Sequence, residues 1–291
     1  MMQTLRNIRR WPLMALLIGL TGLFLFPITL TITNSFMTES EISVTYEAIQ
    51  GEQDPSAVME HVALKWIPQL VTLSQYYSVL IEKPQFLLLF WNSVKIVVPI
   101  IAGQIAVASM AAYAFTQLRF RFREPLFFIY IVTMLMPFQV TLVPNYIVAD
   151  KLGLLNSYLS IIFPGIFSAF GVFLLRQFMM FVPRSYTEAA RVDGAGYLYI
   201  FARIVLPMCG PGIAALSILV FIDNWNMVEQ PLIFLHDAAN QPLSVYLSVI
   251  GSGELGIAFA ASALYMMPLI LLALYAEHYL VEGIQLSGIK G

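Results

Sequence analysis

The sequence predicts an all-α fold, a polytopic membrane protein with six transmembrane helices. Three observations predict it. Of 291 residues, 59% are apolar and 11% charged, and mean hydropathy is +0.79. Soluble domains carry roughly 25% charged residues, so this chain lacks the polar side chains to cover a water-soluble globule. The same composition excludes a disordered chain. Second, apolar stretches long enough to cross about 30 Å of hydrocarbon, some 20 residues each, recur along the chain. Third, the arginines fall in alternate connections between those stretches.

The first span runs from Trp11 to Thr33. It is long for a signal peptide, and no A-x-A cleavage site follows it, so it reads as an anchor. The second, Leu88 to Leu118, is long enough to tilt or to extend past the membrane. The third is Pro125 to Ala149 and the fourth Tyr158 to Phe181, the latter interrupted by Pro164, Gly165 and Gly171. Such breaks are tolerated where neighbouring helices satisfy the freed backbone groups. The fifth is Ile204 to Ile222 and the sixth Ile257 to Val281.

Arg6, Arg9 and Arg10 precede the first span; Arg119, Arg121 and Arg123 lie between the second and third. Arg184, Arg191 and Arg203 lie between the fourth and fifth, with Arg176 near the end of the fourth. All these segments share one face, which the positive-inside rule names cytoplasmic. Both termini then lie on that side. The opposite face carries Lys65, Lys83 and Lys151 with Glu39, Glu41, Glu47, Glu52, Asp54 and Glu60. The chain divides into a tail and first span (1–33), an extracytoplasmic segment (34–87) and a membrane core (88–291). The 34–87 segment reads as a small cap or partly ordered loop with short helices. The stretch from Asn224 to Gly256 reads as re-entrant or surface-lying.

Charge and chemistry exclude other classes. A net charge of −2 gives no footprint for nucleic acid. Cys209, the single cysteine, cannot close an intrachain disulfide. His61, His236 and His278 sit in three separate segments without metal-ligand spacing. The sequence contains no G-x-S-x-G elbow and no paired-carboxylate pattern, so no catalytic residue and no metal site is assigned. No G-x4-GK[ST] loop is present, so this sequence offers no P-loop site for ATP hydrolysis.

The informative connection joins the fourth and fifth spans and reads VPRSYTEAARVDGAGYLYIFARIVLP. Ser185 followed three residues later by Glu188 has the form of a capping box. A short helix is expected from Tyr186 to Asp193, ended by Gly194 in a left-handed conformation. A second short helix, Gly196 to Ala202, leads to Pro207. Local physics also allows a plain, well-formed connector.

Glu188-Ala189-Ala190, Gly194, Ile204, Leu206 and Pro207 fit the pattern EAA-x3-G-x9-I-x-LP without a gap. This resembles the signature of the membrane subunits of bacterial binding-protein-dependent ABC importers. Phe26-Pro27, Asn34-Ser35-Phe36, Asn92-Ser93, Ala112-Tyr113-Ala114, Phe120, Trp225-Asn226, Gly283 and Gly288-Ile289-Lys290-Gly291 extend the likeness. They resemble the carbohydrate branch, and within it the shorter, maltose-permease-G-like subunit. The resemblance implies a type I importer fold in the bacterial inner membrane, with residues 184–202 as the coupling segment. Ser185, Glu188, Ala189, Ala190, Asp193, Gly194, Ile204, Leu206 and Pro207 would then transmit motion from the ATPase. It implies a homologous second permease subunit, two cytoplasmic ATPase subunits that bind ATP and Mg, an extracytoplasmic solute-binding protein and a sugar substrate. Glycerol phosphate is an alternative cargo within the same branch. A stand-alone channel or carrier fits less well, for the two halves show no internal symmetry. Gly251, Ser252, Gly253 and Glu254 occupy the place where a maltose-type subunit inserts a loop into the binding protein. The loop is shorter here, and an ordinary flexible turn is the alternative.

Polar groups within spans usually face a bundle interior or cavity. Asn92, Lys95, Gln104, Gln139 and Asn145 are pathway candidates on that ground, and Trp225 is a candidate for stacking on a sugar ring. Each has a blander alternative: Lys95 snorkelling to the outer interface, the amides bridging helices, Trp225 packing against its neighbours.

Overall fold

The computed structural model describes residues 10–50, 67–250 and 254–288. Arg6, Arg9, Glu52, Asp54, Glu60, His61, Lys65, Gly251, Ser252, Gly253 and Ile289–Gly291, named above, lie outside the described residues. Regular structure among the described residues is helical. The chain forms two compact units, one of 1–87 with 249–267 and one of 88–248 with 268–291.

In the first unit, α1 (Arg10–Asn34) is apolar on every side, and Leu16, Ile18, Leu23 and Phe24 point outward. A helix hydrophobic all round belongs in lipid. Its hydroxyls bond back to the helix: Thr21 donates to the Leu17 carbonyl at 2.8 Å and Thr31 to that of Pro27 at 2.8 Å. No water is then needed to satisfy them.

The segment expected as a cap has an ordered framework in its described part. α2 (Glu39–Gln50) is followed by α3 (Ser74–Tyr77), which continues as a π-helical turn, Ser78–Glu82. Glu41 accepts the Gln69 backbone N–H at 3.0 and 3.2 Å. Ser35 and Tyr76 hydroxyls share a bond of 2.7 Å, Asn34 donates to the Tyr46 hydroxyl, and Thr72 N–H donates to the Phe36 carbonyl at 2.9 Å. The buried Gln75 amide occupies the place a Cβ would take at Gly256, and Lys83 pairs with Glu254 at 2.6 Å.

The second unit starts within α4 (Gln85–Gln117), whose 33 residues extend about 50 Å at 1.5 Å per residue. α5 (Arg123–Met134) and α6 (Phe138–Lys151) meet at 99°. The expected straight third span is therefore bent. Pro137 stands extended (φ −60°, ψ 141°) at the N-cap of α6, and a proline disfavours helix in the residue before it. α7 (Leu159–Ile166) and α8 (Ala169–Met180) together make a fourth span of 22 residues. Between them Ser168 caps α8 by accepting the Gly171 N–H at 3.2 Å.

After α9 (Arg184–Val192), α10 (Tyr197–Ile200) passes through a π-helical turn, Phe201–Val205, into α11 (Leu206–Met208). Pro207 offers no N–H to the Arg203 carbonyl, and the helix widens just before it. α12 (Gly210–Trp225) departs at 75° from the helical run that precedes it. The expected fifth span is thus also bent, at Cys209 (φ −93°, ψ 13°) ahead of Gly210-Pro211-Gly212. Among the described residues, four helices are long and apolar enough to cross a membrane, and up to six spans result if each bent pair counts as one.

α13 (Glu229–Phe234), α14 (Leu243–Val249) and α15 (Leu255–Gly288) complete the described chain. The stretch read as re-entrant or surface-lying buries Phe234, Leu235 and Leu243 completely. Helices cross closely where side chains vanish. A Cβ at Gly103 would meet Ile166 Cγ1 at 2.6 Å, and one at Gly165 would meet Ile100 Cδ1 at 3.0 Å. The α4–α7 contact is therefore a reciprocal pair of isoleucines seated on glycines, the geometry small residues allow between membrane helices.

Candidate functional site

The connection between α8 and α11 is built on two short helices and an elbow. α9 begins after Pro183, which is extended (φ −63°, ψ 132°) and serves as N-cap. The expected capping box is not formed. An N-cap residue must itself be non-helical, and Pro183 takes that role, so Ser185 already lies in the first turn. No side chain caps this terminus. Thr187 Oγ1 instead donates back to the Arg184 carbonyl at 2.9 Å. The helix starts at 184 rather than 186 for the same reason, and it ends at 192 rather than 193 with Asp193 as its C-cap.

The C-terminus follows expectation. Gly194 has φ +82°. Its N–H bonds the Arg191 carbonyl at 3.0 Å, and the Ala195 N–H reaches the Ala190 carbonyl at 2.9 Å. These two bonds define a Schellman motif. Asp193 is the residue immediately before the left-handed glycine.

α9 is sharply two-sided. Thr187 is buried and Ala190 packs against the core. Ser185, Glu188, Ala189 and Val192 are exposed, and their spacing of i, i+3, i+4, i+7 sets them on one face. Past the elbow, Leu198 and Tyr199 are also exposed, while Ile200 and Val205 are fully buried. Ile204 and Leu206 are half-buried and Pro207 is exposed. Val192, 88% exposed, and Leu198, 78% exposed, are apolar side chains held at the surface that sequence reasoning missed. Single apolar residues inside a short helical run look like core positions, and only the direction of the buried face tells them apart.

Three further contacts tie this segment to its surroundings. The Arg191 guanidinium lies 5.1 Å from the Tyr197 ring centroid. The Tyr113 hydroxyl donates to the Tyr197 carbonyl at 3.2 Å, and its ring sits 5.2 Å from that of Phe201.

The polar residues singled out within spans are not gathered into one cluster. Asn92 is buried, donating to the Ala239 and Gln241 carbonyls at 2.7 and 3.2 Å and accepting from the Tyr158 hydroxyl at 2.8 Å. It braces α4 against the turn before α14. Trp225 is buried, stacked on Phe221 at 5.0 Å and edge-on to Phe90 at 5.5 Å. Gln104 is buried beside Gly171, and its Oε1 has no hydrogen-bond partner. Lys95 and Gln139 are exposed and Asn145 is half-buried. Glu254 is ion-paired with Lys83.

Residues 104–284 match the family described as the binding-protein-dependent transport system inner membrane component. This chain belongs to that family. Among relatives of this inner membrane component is the arabinooligosaccharides transport system permease protein AraQ of Halalkalibacterium halodurans. It is 30% identical over 234 residues, covering 79% of this chain and 84% of the relative. The lactose transport system permease protein LacG of Rhizobium radiobacter is 32% identical over 199 residues, 67% and 73% of the two chains. The sn-glycerol-3-phosphate transport system permease protein UgpE of Pectobacterium atrosepticum is 33% identical over 204 residues, 68% and 73%. These relatives do not single out a maltose-type subunit. A crystal structure of a bacterial ABC transporter involved in the import of the acidic polysaccharide alginate holds a chain with the same fold. The TM-score is 0.77 at 23% identity, over 94% of this chain and 98% of that one. The type I importer fold is therefore the fold of this chain. It is an inner-membrane, multi-pass permease component, and the matched region contains the whole α9–α11 connection.

Proposed function

We propose that this permease component forms half of the pathway of a carbohydrate importer and docks α9–α10 into a separate ATPase. One observation carries the reading. A two-helix elbow between two spans presents Ser185, Glu188, Ala189, Val192 and Leu198 to the outside. An exposed surface with apolar side chains and a carboxylate suits a cleft on a partner protein. Closure of two ATPase subunits on ATP and Mg would push this elbow, and Ile204, Leu206 and Pro207 would pass the push into α12. The arginine-bearing connections face the cytoplasm in this reading, with both termini. A homologous second permease subunit completes the pathway, and an extracytoplasmic binding protein delivers the solute. Glu254, fixed by Lys83, offers that protein a positioned carboxylate.

The cargo is a sugar or oligosaccharide, supported by the arabino-oligosaccharide and lactose permeases among the relatives. Glycerol phosphate is the second reading, supported by the UgpE likeness. The test is a cross-link. Val192→Cys in a Cys209→Ser chain, purified with its ATPase subunits, should cross-link to them with a short bifunctional maleimide. Absence of that product in an intact, ATP-hydrolysing assembly overturns the reading, as does ATP hydrolysis by the purified chain alone. Uptake of labelled arabino-oligosaccharide, lactose and glycerol 3-phosphate by cells carrying the full system decides the cargo.

A further inference from the structure

We propose that Tyr113 is a positioning residue that makes α4 move with the α9–α10 elbow. The inference rests on the docking reading above. The elbow is joined through the chain to α8 on one side and to α11 and α12 on the other. α4 has no such covalent link; it ends at Gln117, more than 60 residues earlier in the chain. Its packing partners include elbow residues, and one of its side chains adds a directional polar contact to the elbow backbone. Tyr113 is 5% exposed, and its hydroxyl donates to the Tyr197 carbonyl at 3.2 Å. Its ring leans on Phe201 at 5.2 Å with the planes at 50°. Both partners lie at the start of α10 and of the π-helical turn, where the helical register changes.

Tyr197 is itself gripped from the other side of the elbow, for Arg191 on α9 sits over its ring. Arg191, Tyr197 and Tyr113 therefore form a run of contacts that crosses Gly194 and ends on α4. A push received on α9 reaches Tyr197 through the guanidinium and the Schellman turn together, and then α4 through a part-buried hydrogen bond. That bond is directional and part-buried, so it resists sliding in a way an apolar contact does not: breaking it takes this acceptor from the Tyr113 hydroxyl, while the Tyr197 carbonyl keeps the Phe201 N–H. The ring supplies packing and the hydroxyl supplies direction, so the two roles are separable by substitution.

The test uses the assembled permease pair and ATPases in proteoliposomes, with Cys209→Ser as background and no sugar. Labelling by a membrane-impermeant maleimide is followed at Val98→Cys on α4 and at Met208→Cys on α11, both exposed positions, with and without Mg-AMP-PNP. In the parent, nucleotide should change both rates. In Tyr113→Phe, the change at position 98 should shrink about threefold or more, the scale of one lost net hydrogen bond, while that at 208 persists. The Val192→Cys cross-link to the ATPase should also persist. An undiminished response at 98 overturns the proposal, and so does a parent response absent at 98. Parallel loss at 98, 208 and the cross-link assigns Tyr113 to folding and overturns it equally. If Tyr113→Phe does not assemble, Phe201→Leu must show the same selective loss at 98. Failure of the parent cross-link sinks the docking reading instead, and the two failures are thereby distinct.

Discussion

Arg176 lays its guanidinium 3.9 Å from the ring centroid of Phe127, clasping α8 to α5. Its side chain is 15% exposed, and Glu124, 60% exposed, stands 3.6 Å away. The aromatic face is the desolvated contact, and the carboxylate lies in a screened setting. Cation–π contacts reach about 2 kcal/mol when desolvated, whereas exposed ion pairs contribute about 0–1 kcal/mol. Arg176→Gln should lower the thermal midpoint of the detergent-solubilised protein clearly, and Glu124→Gln should leave it within error. A larger drop for Glu124→Gln would show that the ion pair carries the clasp.

Gly194 separates backbone geometry from docking. No atom lies within 4 Å of a Cβ built there, so a side chain meets strain from φ +82° alone. Asn and Asp both visit that region with local hydrogen bonding, while Ala loses about 1–2 kcal/mol. Gly194→Asn should keep uptake near the parent level. Gly194→Asp should insert normally but abolish uptake, because the new charge beside Asp193 would stand on the segment proposed to dock. Equal uptake by the Asn and Asp variants would count against docking at this face.

Gly212 lets α12 approach α8. A Cβ there would lie 2.5 Å from Phe178 Cγ and 2.9 Å from its Cβ, too close for the ring to swing clear. Overpacking of this kind costs about 1–3 kcal/mol. Gly212→Ala should reduce the yield of folded protein on size-exclusion chromatography. Phe178→Ala in the same chain should recover part of the loss, and strict additivity of the two would remove the steric account.

Orientation is checked on spheroplasts with the Cys209→Ser background. Leu70→Cys, at an exposed position of the cap, should react with an impermeant maleimide from outside. Arg191→Cys should react only after permeabilisation. The reverse pattern would invert the membrane topology.

Much of this architecture was legible in the residues. The long spans announced themselves because lipid demands unbroken apolar runs, and Gly194 marked its elbow because few residues accept a positive φ. What escaped had long-range or conformational causes. Ser185 and Glu188 have the spelling of a capping box, yet ψ at Pro183 moved the helix start upstream. The bends at Pro137 and Cys209 hid inside stretches whose hydropathy is uninterrupted. Lys83 and Glu254 meet across 171 residues, a separation no local pattern reports. The partners of Asn92 and Trp225, the Ala239 and Gln241 carbonyls and the rings of Phe221 and Phe90, also lie beyond local pattern.

The first helix has a different standing from the rest. Its most apolar window buries nothing against its own chain, so its side chains are judged by their surroundings in the bilayer and not by a matching surface. Selection there acts on bulk oiliness and span, which many spellings satisfy, while the glycine-seated crossings deeper in the molecule tolerate almost none. Drift among descendants of this gene should accordingly run fast at the amino end and slow at the isoleucine–glycine seats.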